Sequence, residues 1–159
     1  MLIKSIEELE NIKKHCKHMT TRRSLISATA AAVPIPLLDI GTDFSILMEM
    51  IPAINRKFGL TTEQIEELDT ETKRVLFVTI KDLGAKLAGR VLTKELIIEI
   101  LKKVGIRISV KTTAKYIPLV GAGVAAIVSY GAMKWIGNHH IEDCYQVVKR
   151  VLVEHKSRM

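Results

Sequence analysis

The sequence predicts an all-α protein: a single compact multi-helix bundle with a central apolar hairpin and corners marked by proline. Apolar residues recur at three- and four-residue spacing along most of the chain. No run of alternating apolar and polar residues sits between turn signals, as a strand would require. Helix starts and stops are frequent, with Ser, Thr, Gly and Pro falling between the periodic segments.

Ser5 can cap a first helix that carries Glu7 and Glu8 in its opening turn and runs to about His18. Ile6, Leu9 and Ile12 give it a narrow apolar stripe. A second helix is expected from Thr20 or Thr21 through Ala32, where Pro34 and Pro36 impose an extended corner. The third spans Leu37 to Lys57, with Ile40, Phe44, Leu47, Met48 and Ile51 on one face; Pro52 is expected to kink it and Gly59 to stop it. Thr61 and Gln64 have the spacing of a capping box for a short acidic helix through Leu68. A long helix is expected from Glu71 to Leu92 on the stripe Leu76, Ile80, Leu83, Leu87 and Val91. Thr93 then caps a helix from Lys94 to Val104 that Gly105 closes, and another covers Arg107 to Tyr116. The apolar segment Leu119–Ile136 should end at Gly137-Asn138. A last helix, His140 to His155, presents Ile141, Tyr145, Val148 and Leu152. In domain terms, residues 1–20 form a partly appended N-terminal helix, 21–155 the bundle and 156–159 a tail.

Composition narrows the function. Apolar residues make up 48% of the 159 residues and the formal net charge is +7, with a mean hydropathy of +0.20. A basic surface on an apolar chain suits anionic lipid or an acidic protein partner. Aromatic residues are 4%, too few for a platform that stacks single-stranded bases, and nucleic acid is not an expected partner. Cys16 and Cys144 make no disulfide framework. The opening Met1-Leu2-Ile3-Lys4, followed by Glu7-Glu8-Leu9-Glu10, lacks the basic-then-apolar order of a secretory signal, so a cytoplasmic location is expected.

Several motifs approach chemistry without reaching it. Gly84-Ala85-Lys86-Leu87-Ala88-Gly89 has the glycine spacing of a phosphate-binding loop, but Arg90-Val91 stands where Lys and Ser or Thr are needed. Its glycines are expected to admit a close helix neighbour. His15 with His18 and His140 with Cys144 could supply four metal ligands, yet nothing in the sequence joins the two ends. Surface histidines and a half-buried cysteine are the simpler reading. Asp39 and Asp43 share a helix face without a third partner; Asp39 suits the helix N-terminus and Asp43 a pairing with a basic residue of another helix. No catalytic, cofactor-binding or metal residue is assigned, and no enzyme is expected.

The positive charge has a pattern. No acidic residue lies between Glu99 and Glu142, a span that holds Lys102, Lys103, Arg107, Lys111, Lys115 and Lys134. Lys103, Arg107, Lys111 and Lys115 fall four apart and lead into the uncharged stretch Tyr116–Met133. Lys13, Lys14, Lys17, Arg22 and Arg23 likewise precede the uncharged Ser24–Leu38. Near an anionic membrane each such cation contributes about 1 kcal/mol. Lys134 and Trp135 suit an interfacial anchor. Lys103, Arg107, Lys111, Lys115, Lys134 and Trp135 are therefore the lipid-facing candidates. Pro34, Pro36, Asp39, Asp43, Pro118, Gly121, Gly123 and Ala125 are assigned to packing. Tyr116–Met133 falls just short of the roughly 20 apolar residues of a bilayer span, so it reads equally as a buried core helix or a membrane-contacting one.

The words Ile35-Pro36-Leu37 and Ile117-Pro118-Leu119 mark the two small-residue segments. The run from Val33 to Leu47 (Val-Pro-Ile-Pro-Leu-Leu-Asp-Ile-Gly-Thr-Asp-Phe-Ser-Ile-Leu), followed by Phe58-Gly59-Leu60, resembles the C-terminal helical domain of the immunity-related GTPases. Tyr116-Ile117-Pro118-Leu119-Val120-Gly121 with Ser129-Tyr130-Gly131-Ala132 resembles the later hairpin of that domain. The chain also looks like the helical membrane-associated domain found beside Era-like GTPases in bacteria. The resemblance covers roughly Thr21 to Leu152. It implies a helical module that helps place a GTPase on membranes; this chain has neither the phosphate-binding loop nor the GTPase domain, so that activity is not carried over. The expectation is a non-enzymatic membrane-associated module that binds a protein partner, with a separate GTPase as one such partner. It would sit peripherally or partly inserted at a membrane, and homo-oligomers are compatible with it. The alternative is a soluble interaction protein in bacterial conflict, an immunity protein masking a toxin.

Overall fold

The computed structural model describes residues 3–32, 38–103 and 118–157, and the regular elements among them are all α-helices. In chain order they are α1 (Ile6–Ala32), α2 (Leu38–Lys57), α3 (Thr62–Glu66), α4 (Thr70–Leu83), α5 (Lys94–Lys103) and α6 (Pro118–Ser157). The all-α bundle expected from periodicity is thus the architecture found. Pro34 and Pro36, the expected corner, lie outside the described residues, as do Gly105 and the whole expected helix from Arg107 to Tyr116.

The local signals hold where a side chain answers a nearby backbone group. Ser5 Oγ accepts from Glu8 N at 3.1 Å at the start of α1. Thr61 and Gln64 form the reciprocal box that opens α3. Thr93 Oγ1 accepts from Leu96 N at 3.3 Å to open α5. At the end of α2, Gly59 has φ 71°, while Leu60 N donates to Asn55 O at 2.8 Å and Gly59 N to Arg56 O at 3.3 Å. That is the left-handed cap that leaves few carbonyls orphaned.

Three expected boundaries are corrected. The break between His18 and Thr20 does not occur: α1 runs through it, because Met19-Thr20-Thr21 contains no residue that denies the helix a hydrogen bond. The expected Glu71–Leu92 helix ends at Leu83. Gly84 takes φ 64° and Ala85 N closes back on Ile80 O at 3.1 Å, so Leu83 and Val91 leave the expected inner stripe and are exposed. The expected stop at Gly137-Asn138 is absent: α6 runs through it, 40 residues in all from Pro118 to Ser157.

The helices gather into two compact units. The first comprises Met1–His18, Ile51–Val91 and Asn138–Met159. Within it, α1 and α6 run antiparallel, tied by Lys13 to Glu142 at 2.8 Å and by the Tyr145 hydroxyl to Glu10. Leu9, Ile51, Ile54, Phe58, Leu76 and Ile141 form its core, each at most 2% exposed. Ile141, Tyr145, Val148 and Leu152 are all buried, as their spacing predicts.

The second unit comprises Met19–Met50 and Leu92–Gly137. Here Ser27 meets Asp43 and Ser129, so α1 lies beside both α2 and α6. Arg23 pairs with Glu49 at 3.7 Å, which sets α1 antiparallel to α2. Leu47, Met50, Ile97, Met133 and Ile136 fill the core. Gly137 sits against Thr20: a Cβ built there would fall 2.4 Å from Thr20 Cγ2 and 2.9 Å from its Oγ1. Gly137 therefore admits a close helix crossing, the role expected for Gly84 and Gly89. Both of those take positive φ, 64° and 70°; a Cβ at Gly84 would meet nothing within 4 Å, whereas one at Gly89 would fall 3.0 Å from Ile65 Cδ1 of α3, so only Gly89 also admits a close neighbour.

Candidate functional site

Each unit buries a polar cluster that joins two or more helices. In the first, Asn55 on α2 reaches across to α6. Its Nδ2 donates to Leu87 O at 3.1 Å, which leaves Oδ1 as an acceptor facing His140 Nε2 at 3.1 Å and Cys144 Sγ at 3.5 Å. The amide polarity thereby places a proton on His140 Nε2. Cys144 Sγ lies 3.6 and 3.8 Å from the two ring nitrogens, near the range of a nucleophile and its base. The surroundings oppose that chemistry. Burial drives the imidazole pKa down to about 4, against a hydrogen bond at the Ile51 backbone that favours the charged ring. Burial likewise pushes the Cys144 thiol well above its ordinary value, and charges at Asp143 and Cys16 add to this. The Cys16 thiol is raised to about 11 by burial, partly countered by Lys57. A reactive cysteine needs a thiolate and access; both cysteines are fully buried.

The half-buried cysteine and surface histidine expected at 144 and 140 are thus corrected: both are core residues, while His15 and His18 are exposed. Among the described residues no group of three His, Cys, Asp or Glu side chains is placed to hold a metal ion.

In the second unit, Ser27 Oγ donates to Asp43 Oδ1. Ser129 Oγ lies 2.5 Å from Ser27 Oγ, 3.3 Å from Ser27 O and 3.4 Å from Asp43 Oδ1. Asp43 is buried, so two partners of the carboxyl group expected to meet a cation are hydroxyls. Asp39 lies in the first turn of α2. Pro118 opens α6, where the missing N–H costs nothing, and Gly121, Gly123 and Ala125 follow in its first turns.

The lipid-facing candidates divide. Lys103 closes α5, whereas Arg107, Lys111 and Lys115 lie outside the described residues. Lys134 and Trp135 stand on α6. Lys134 Nζ donates to Tyr130 Oη at 3.0 Å and lies 5.2 Å from its ring centroid. Trp135 is 59% exposed and Ile127 73%. Ile127 and Lys134 fall within about 20° of each other on the helix wheel, with Tyr130 and Trp135 to either side. On α1 of the same unit, Leu25 and Ile26 are more than half exposed beside exposed Arg22. Sequence reasoning missed Ile127, Leu25 and Ile26, because an apolar residue in an apolar run gives no sign of which face it takes.

A cleft of about 210 Å³ in the first unit is lined by Asp69, Glu71, Thr72 and Val75 of α4 and its cap, and by Val151, Glu154 and His155 of α6. It is smaller than the roughly 300 Å³ at which small-molecule sites begin, and Asp69 is occupied as the α4 cap on Thr72 N. Among the described residues no helix is long and apolar enough to cross a membrane. Comparisons with protein-family models, curated proteins and solved structures gave no match.

Proposed function

We propose that this chain is a non-enzymatic helical module that attaches to an anionic membrane surface and holds a protein partner there. The observation that carries the reading is the exposed face of α6 in the second unit, where Ile127 lies between Lys134 and Trp135 around the helix. An aromatic ring with an apolar body and polar edge beside a lysine with a long apolar stem suits the depth at which headgroups meet acyl chains. The formal charge of +7 and the acid-free sequence from residue 100 to 141 add attraction to anionic lipid. Attachment on the surface rather than across it is in keeping with the described helices, none of which is both long and apolar enough to cross a membrane. A separate GTPase is the partner class that the resemblance implies.

Vesicle flotation tests the membrane part. Vesicles containing phosphatidylserine should carry the protein, salt should weaken the binding, and phosphatidylcholine alone should bind poorly. The double variant Ile127→Ser, Trp135→Ser should lose about tenfold or more in binding, since each buried large apolar group is worth roughly 1.5–3 kcal/mol. Equal flotation of variant and parent, or none with either vesicle, overturns the reading.

A further inference from the structure

We propose that the exposed face of α4 binds a second copy of this chain, α4 packing antiparallel on α4 about a two-fold axis. Phe77 and Val78 are 55% and 52% exposed on this helix, although Leu76 and Thr79 beside them are buried. The outer face reads Glu71, Arg74, Phe77, Val78, Lys81, all exposed. Glu71, Arg74, Val78 and Lys81 follow one another at spacings of three, four and three, the register of a helix-pairing seam.

The charge order makes this seam complementary to itself. In an antiparallel pair centred on residue 76, Glu71 of one copy faces Lys81 of the other, and this occurs twice by symmetry. Arg74 faces Val78 of the second copy, so its aliphatic stem covers apolar surface while its head stays in water. Phe77 lies beside the axis. Glu71 already approaches Arg74 at 3.6 Å within its own chain; the second copy's Lys81 adds a cation on its other side. An acidic first turn and a basic last turn also suit the helix dipole, but the dipole gives no reason for an exposed Phe77-Val78 pair midway between them. One helix pair buries less than the roughly 1,200 Å² of a stable interface, so the dimer is weak and reversible. It is independent of the membrane attachment proposed above.

Sedimentation analysis of the full chain over a concentration series tests this, with circular dichroism as the folding check. The parent should pass reversibly from the 17.8 kDa monomer to a dimer as concentration rises. Glu71→Lys and Lys81→Glu should each weaken association about tenfold, because like charges then face each other twice. An equimolar mixture of the two single variants should recover the parent's association, since each mixed pair restores two opposite-charge contacts. A parent that stays monomeric throughout, or a dimer that the mixture does not restore, overturns the proposal.

Discussion

Both the Ser27–Asp43–Ser129 cluster and the Asn55–His140–Cys144 cluster carry polar atoms into a helical core, but they differ in how far their groups can adapt. A serine hydroxyl rotates and can donate or accept, so the short Ser27–Ser129 contact works with either serine as donor. Asn55 has no such freedom. With Nδ2 spent on Leu87 O, its Oδ1 can only accept, and it requires a proton on His140 Nε2. The first cluster can tolerate a change of proton position; the second demands one tautomer. Buried polar networks stabilise a fold only when every member is satisfied, and these two clusters meet that demand by opposite means.

Removing the centre of the adaptable cluster gives the largest effect. Asp43→Ala takes away an acceptor shared by two buried hydroxyls and leaves a small void, at a cost of about 3 kcal/mol. Asp43→Asn keeps one carbonyl oxygen for Ser27 and should cost nearer 1 kcal/mol. Urea unfolding at neutral pH measures both. Equal losses for the two variants would mean that Asp43 acts through something other than these serines.

Acid should break the rigid cluster. The His140 pKa is depressed in the fold, from 6.5 to about 4, so between those values the unfolded chain holds a proton that the folded chain refuses. Stability is therefore fully present above pH 6.5 and falls as pH drops to 4, by on the order of 3 kcal/mol. The carboxylates add their own loss lower down. Asp69 is held below its ordinary value by Thr72 and Glu142 by Lys13, so each loses its contribution only as pH falls below the ordinary carboxylate value toward its folded one. Urea unfolding from pH 7 to about 5 stays above the ordinary carboxylate values and follows mainly the histidine, while Asp143, raised by burial, acts in the opposite sense lower down. His140→Gln retains a donor for Asn55 but does not titrate, and its stability should be nearly flat over that window. A parent as flat as the variant would contradict a buried neutral ring.

How much of this could be read from the chain depends on the range of the interaction. The Thr61–Gln64 box, the Thr93 cap and the Gly59 stop involve residues a few positions apart, and all are legible. The two clusters are not, since Asn55 and His140 meet across 85 positions and Ser27 and Ser129 across 102. Their one local trace is a lone polar residue in an apolar stretch: Asn55 between Ile54 and the buried Phe58, Ser129 in the uncharged run. Glycine shows the same limit. Gly84 and Gly137 look alike in sequence, and spacing assigns packing to the first and termination to the second. The fold reverses them, because what approaches a glycine is set by another helix: nothing at Gly84, the Thr20 side chain at Gly137. The outward Phe77, Val78 and Ile127 are likewise invisible to apolar counting, which cannot say which face a neighbour covers, whereas Trp135 beside Lys134 is legible as an outward residue.

The Thr20–Gly137 crossing supplies the smallest and most discriminating test of how the second unit treats its polar groups. Thr20 is fully buried, and its Oγ1 finds no hydrogen-bond partner among the described residues, although its carbonyl accepts from Ser24 Oγ at 2.8 Å. A few residues along α1, Ser27 is satisfied twice over. Thr20 therefore contributes shape to the crossing, with Cγ2 and Oγ1 both against Gly137, while its hydroxyl carries a desolvation cost. Thr20→Val keeps that shape and replaces the hydroxyl with a methyl group. It should raise stability by about 1 kcal/mol, where the same change at a satisfied threonine would lower it. Gly137 must remain unsubstituted for this outcome, since any Cβ there meets the Thr20 side chain before the hydroxyl matters. A loss of stability in Thr20→Val, measured by urea unfolding at neutral pH, would show that the hydroxyl has a partner and that the Thr20–Gly137 crossing carries no such desolvation cost.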